Sequence, residues 1–264
     1  MPPLHVGTGG GLNLPILLTL LALLLGPGAA AAQDDARPHR GGVAAPASLT
    51  GTHEARLQRQ VEAEVHGALL ATGETVRKEH LNRADEVARV LVATYPESAD
   101  AHYWKAVARG VRAEYSGPFA KVGMGEDILT ATDRVLALDS LHPGGHEMMG
   151  RLHAAVMRLP WLIRQFALRM GMGEVLGDAS WSEAERHLRI SADEDSLALA
   201  PRLELAKLLV ERDRPQEAVP VLRRTLTLPR RHAVDERMHV EADSILGLLR
   251  EDTPDALAPG PSGS

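Results

Sequence analysis

The chain has 264 residues, a formal net charge of -6, no cysteine, and only three Trp, three Tyr and two Phe. A mildly acidic protein with so few aromatic platforms repels phosphate backbones and has little on which to stack bases, which argues against nucleic acid as a partner. Without cysteine there is no thiol catalysis, no thiolate metal site and no lipid anchored on a cysteine.

The first 32 residues carry no Lys, Arg, Asp or Glu. An apolar run from Leu14 to Leu25, a Gly26-Pro27-Gly28 break and the stretch Ala29 to Ala32 lay out a secretory signal peptide with an A-x-A site, so cleavage is expected between Ala32 and Gln33. The run falls short of the roughly 18 to 20 residues that a membrane-crossing helix needs, and only His5 and the terminal amine supply positive charge ahead of it. The expected location is therefore periplasmic or secreted, without stable membrane insertion after processing. Residues 33–51, rich in Asp, Arg, Pro, Gly and Ala, lack the large apolar groups that would offset chain entropy and read as a disordered linker. The tail 252–264, with Pro254, Pro259 and Pro261 among Gly and Ser, reads the same way.

Between them, 52–251 is helical in pattern: apolar residues recur at three and four, and no alternating β-branched runs occur. Helices are expected at about 53–73, 81–95, from 99 onward, 125–138, from 181 onward, and at 234–249. Breaks at Tyr95-Pro96-Glu97-Ser98, Leu141-His142-Pro143-Gly144, Ala192-Asp193-Glu194-Asp195 and Leu228-Pro229-Arg230 fall roughly 36 to 50 residues apart. That spacing brackets the tetratricopeptide period. A helical pair cannot cover its own apolar face, so such units must stack. The expected fold is an all-α, tetratricopeptide-like helical-hairpin solenoid of about four helix pairs. The best repeat runs from Leu203 to Leu222, with Ala206 and Ala218 at the small positions where backbones approach; Ala106 and Ala184 occupy matching places. Pro215 suits the first turn of its helix, whereas Pro220 should bend or shorten it.

Several segments together resemble the regulator of microtubule dynamics proteins and their bacterial tetratricopeptide-like relatives. These are Asp100-Ala-His-Tyr-Trp104, His142-Pro-Gly-Gly-His146-Glu-Met-Met-Gly150-Arg-Leu, Leu159-Pro-Trp161-Leu162, and the 171–177 stretch leading into Ala179-Ser-Trp-Ser-Glu-Ala184. The resemblance covers roughly 81–228. It implies a helical-repeat binding domain without catalytic apparatus. An export signal would keep this chain from cytosolic tubulin, so microtubule association is not carried over with the fold.

Candidate binding residues on the concave face are His102, Trp104, Lys105, Arg109 and Arg151, of which Lys105, Arg109 and Arg151 would clamp a carboxylate or peptide terminus. The plainer alternative makes Trp104 core and the two basic residues a solvated face. The segment 159–176 sets Leu159, Leu162, Ile163, Phe166 and Met170 on one stripe, read either as a lid helix with Trp161, Phe166 and Met170 as its working residues or as an added core helix. His142, His146 and His153 invite a metal site, but the spacing departs from H-E-x-x-H, and helix-start roles explain the first two. No metal and no cofactor is expected. Asp193, Glu194 and Asp195 read as helix-start charges. No G-x-S-x-G elbow or phosphate-cradling loop is present outside the export segment, so no enzyme is expected. The leading function is an exported binding module or scaffold that holds a protein, peptide or small amphipathic ligand in its groove. The alternatives are an envelope-complex subunit using its outer face and a metal-dependent hydrolase.

Overall fold

A computed structural model describes residues 47–169 and 177–252 and contains ten helices among them. In chain order these are α1 (Ala47–Leu70), α2 (Glu74–Thr94), α3 (Ala99–Glu114), α4 (Pro118–Leu138), α5 (Pro143–Arg158), α6 (Trp161–Arg169), α7 (Trp181–Glu194), α8 (Ala200–Glu211), α9 (Pro215–Thr227) and α10 (Ala233–Asp252). Four antiparallel pairs form, α1 with α2, α3 with α4, α5 with α7 across the inserted α6, and α8 with α9; α10 follows the last pair. Each pair packs on the next, and the first helices of successive pairs also touch, α1 to α3 to α5 to α8 to α10. The all-helical solenoid expected from the sequence is what forms. Its inner row then closes on itself, because α10 packs back against α1.

The breaks in the sequence act as helix starts through identifiable groups. Ser98 Oγ accepts from Ala101 N, Ser180 Oγ from Glu183 N, and His142 Nδ1 from Gly145 N at 3.0 Å, so each side chain satisfies an orphan amide of the first turn. Pro118, Pro143 and Pro215 occupy first-turn positions where a missing N–H is harmless. The α8 to α9 turn uses Asp213 in the left-handed region (φ 60), with Arg214 N bonded to Leu209 O and Asp213 N to Val210 O, the Schellman closure.

Packing follows the small residues. Ala84, Ala106, Ala184, Ala206 and Ala218 are all fully buried, including the four expected at close backbone approaches. The glycines of α5 do the same work more severely. A β-carbon on Gly145 would lie 2.8 Å from Val135 Cγ1 and Leu136 Cδ2 of α4, and one on Gly150 2.7 Å from Leu188 Cγ of α7. Thus the motif is helical from Pro143 to Gly150, capped by His142, and lets α5 sit against its neighbours at near-contact distance.

Four elements differ from the expectation. α1 begins at Ala47, inside the stretch assigned to a linker; α2 begins at Glu74 and α4 at Pro118, each a turn or two early; and α9 runs through Pro220 to Thr227. Pro220 faces solvent, where the Gln216 carbonyl it leaves unbonded can meet water. Asp193 and Glu194 end α7 and do not begin a helix. Asp195 caps that end, its carboxylate accepting from Leu197 N at 2.9 Å, while the Arg202 guanidinium donates to the Asp195, Ala198 and Ala192 carbonyls. Among the described residues no helix is long and apolar enough to cross a membrane. The expected signal peptide with Ala32 and Gln33, most of the linker, and all of the tail beyond Asp252 lie outside the described residues.

Candidate functional site

The inner row of helices brings ionisable side chains together where a solenoid would ordinarily present an open groove. α8 is apolar on nearly every side, with Leu203, Leu205, Ala206, Leu208 and Leu209 all buried, and yet Glu204 and Lys207 are only 2% and 3% exposed. Lys207 Nζ bonds Glu204 and lies 3.4 Å from Glu241 Oε1 on α10. On α5, Arg151 Nε lies 3.0 Å from Glu147 Oε1 one turn back, both side chains being almost wholly enclosed. Arg158 at the end of α5 reaches Glu211 at 2.8 Å and Glu204 at 3.8 Å. Glu114, the last residue of α3, has its Oε2 buried without a hydrogen-bond partner among the described residues.

A cavity of about 50 Å³ lies among Glu114, Arg151, Glu204, Lys207 and Glu241, walled by Leu69, Leu203, Val234 and Met238, with Tyr115 and Arg237 at its mouth. That volume holds a few waters at roughly 10–15 Å³ each, or one small polar group. The environment tunes its acids differently. Burial pushes the Glu114 carboxyl up to about 7, against the pull of Arg151 and Lys207. Burial also raises Glu241. Burial works against ionised Glu204 as well, but Lys207, Arg151 and Arg158 outweigh it and hold that carboxyl below the usual range. The site therefore holds carboxylates pushed in opposite directions within one enclosure.

The mouth is fixed from α1, α2 and α10. Arg237 Nη1 donates to Leu69 O at 2.6 Å, and Arg77 donates to Ala71 O at 2.6 Å while lying 4.3 Å over the Tyr115 ring. Two guanidinium groups thereby close the carbonyl end of α1 and hold an aromatic ring beside the opening.

The structure separates the residues named from sequence. Arg151 faces this interior. Lys105 and Arg109 sit on another side of α3, in a hollow shared with Asn82, Asp85 and Arg89 of α2, where Arg109 pairs with Asp127 at 3.0 Å and Asp85 at 3.7 Å. The three basic groups do not converge into one clamp. Trp104 is core, edge-on to the Tyr103 ring at 5.3 Å, and His102 donates to Pro96 O at 2.9 Å at the loop before α3. In α6, Leu159 and Ile163 pack on Val156, whereas Trp161 and Leu162 are 66% and 71% exposed. The helix is anchored by one edge and presents the other. The Phe166 side chain and Met170 lie outside the described residues.

The histidines pair with protein groups. His142 Nε2 meets Asp100 Oδ1 at 3.0 Å; His146 Nε2 donates to Ser140 O, leaving its Nδ1 to accept from His187 Nδ1 at 2.8 Å, a tautomer choice inferred from the bonding pattern. His153 stacks on His187 at 5.8 Å. Among the described residues, the grouping spaced for a metal ion lies elsewhere, at Glu62, His66 and His232. Sequence reasoning passed over Glu114, Glu204, Lys207, Arg237 and Glu241. The available signal was Glu204 and Lys207 inside the otherwise apolar run 203–210.

The sequence model described as regulator of microtubule dynamics protein 1-3 matches residues 47–250. Among curated proteins, the chain is similar to regulator of microtubule dynamics protein 3 of Bos taurus, 25% identical over 169 residues, covering 63% of this chain and 35% of that protein. It is also similar to the protein of the same name from Rattus norvegicus, 28% identical over 117 residues, covering 44% of this chain and 25% of that one. The chain therefore spans only a quarter to a third of the length of these relatives.

Proposed function

Because the chain belongs to the regulator of microtubule dynamics protein 1-3 family, we propose that it is a non-catalytic binding scaffold whose closed inner face receives a short polar segment of a partner. The observation that carries this is the convergence of Glu114, Arg151, Glu204, Lys207 and Glu241 from four helices on one small cavity. Burying that many charges costs stability, and replacing them with apolar groups would cost less. A partner's ammonium, guanidinium or carboxylate terminus would find both signs of charge there. Tyr115 and Arg237, beside the opening, would contact the rest of the segment.

In this reading the pairs are tetratricopeptide-like, on the strength of Ala206, Ala218 and Ala184. Residues 1–32 direct export, processing falls between Ala32 and Gln33, and the domain works in the periplasm or outside the cell, all of which rests on the sequence pattern. Regulation of microtubule dynamics, stated in the relatives' name, is not carried to a chain with such a leader.

The test uses the full chain as bait against envelope extract, with the captured partner then titrated against variants. Arg237→Ala with Tyr115→Ala is expected to weaken capture at least tenfold, and Lys105→Ala with Arg109→Ala to leave it unchanged. A second reading, an assembly subunit docking through its outer surface, is favoured by the exposure of Trp161 and Leu162. It predicts loss with Trp161→Ala and no effect at the mouth.

A further inference from the structure

The α1 to α10 closure carries a feature that neither the buried charges nor the family explains. Glu62 and His66 lie one turn apart on α1, so both side chains project from one face of that helix. His232, from the connection that leads into α10, comes to meet them: its Nδ1 is 3.6 Å from Glu62 Oε1, and its ring centroid is 5.2 Å from that of His66. One ligand-type atom from each of the three residues lies within 4.8 Å of the other two. His66 Nε2 is buried with no hydrogen-bond partner among the described residues. An imidazole nitrogen left so is costly unless something coordinates it.

We propose that Glu62, His66 and His232 form a binding site for one divalent transition-metal ion, of which zinc is the representative, tying α1 to the entrance of α10. Two imidazoles and a carboxylate are a borderline N/O ligand set that suits zinc and its neighbours better than calcium or magnesium. Tetrahedral zinc places its ligand atoms about 3.3 Å apart, so the side chains need to draw in by about an ångström, within the reach of small χ adjustments. The fourth position is open to water, since the Glu62 and His232 side chains are 22% and 28% exposed. His232 is positioned from behind: the Asp235 carboxylate accepts its backbone N–H at 2.8 Å and that of Arg231 at 2.7 Å. A fixed main chain at the single ligand donated from afar is the support such sites require.

The site joins residues from the two ends of the domain, so an ion there holds the inner row shut beside the Arg237 to Leu69 bond. This role does not depend on what the interior binds. The untagged full chain, dialysed against zinc and then against buffer, is expected to retain about one zinc per chain by elemental analysis. His66→Gln and His232→Gln should each weaken binding by about 100-fold or more, with helical circular dichroism retained. His187→Gln, in the other histidine cluster, should bind as wild type. Unchanged stoichiometry in both ligand variants, no zinc retained by wild type, or loss confined to His187→Gln overturns the site. Should the variants fail to fold, cobalt on the unmutated chain decides: intense visible bands of a tetrahedral ion support the proposal, and a weak octahedral spectrum or none overturns it.

Discussion

Gly144 of α5 lies so close to Tyr103 of α3 that a β-carbon added to it would sit 2.4 Å from the ring Cε2. The ring cannot yield, because Tyr103 is 1% exposed and packs against Trp104 and His142. Gly144→Ala is therefore expected to lower stability by about 1–3 kcal/mol through overpacking. Denaturant unfolding, read as a shift in midpoint at constant slope, measures this; an unchanged midpoint would mean the two helices are not in contact.

The Glu114 carboxyl, raised to about 7 by burial, predicts a particular pH dependence. A folded-state value above the ordinary 4.5 means the native state binds the proton more tightly, so this contribution is fully present below pH 4.5 and is lost as pH rises through 7. Glu114→Gln mimics the protonated form. It should match wild type near pH 4.5 and exceed it by about 2–3 kcal/mol above pH 7. Parallel unfolding curves across that range would contradict the buried placement.

Lys207 faces two carboxylates, Glu204 and Glu241, in the enclosed interior. Lys207→Met removes the cation both share, leaving Glu204 only the longer Arg158 contact, and should cost about 3–5 kcal/mol, whereas adding Glu204→Gln should return part of that loss. A double-mutant cycle with an interaction energy of about 0.5–3 kcal/mol is the expected reading; strict additivity would place the groups apart.

Asp213 adopts a left-handed conformation (φ 60) at the α8 to α9 turn. Glycine takes that conformation without the steric cost a β-carbon brings, so Asp213→Gly should raise stability by about 0.5–1 kcal/mol. A drop in thermal midpoint would show that the carboxylate holds the turn in some way the backbone geometry does not require.

The helical pairs were legible because their boundaries are chemical: Ser98, His142, Ser180, Pro143 and Pro215 each satisfy or remove an end amide, and Ala206 and Ala218 mark close approaches by their size. The candidate site was largely illegible. Glu114 and Glu241 have nothing in their local spacing that separates them from solvated residues, since what buries them is the meeting of four helices. Glu204 and Lys207 alone broke a local pattern. Lys105 and Arg109 were assigned to the right helix, but one face away from Arg151, because period alone does not say which side of α3 turns inward. Nothing in a single sequence couples Glu62 to His232 or Leu69 to Arg237.

An open row of helical pairs unfolds from its ends, each unit leaning only on its neighbours. Here Arg237 bonds Leu69 across 168 residues of chain, so the two terminal helices support one another. Closure of this kind is expected to make unfolding more cooperative than in an open row and to slow folding, since the contact that completes it joins distant segments. Deleting α10 would then not shorten the protein by one helix; it would expose the inward face of α1 and the charged interior together.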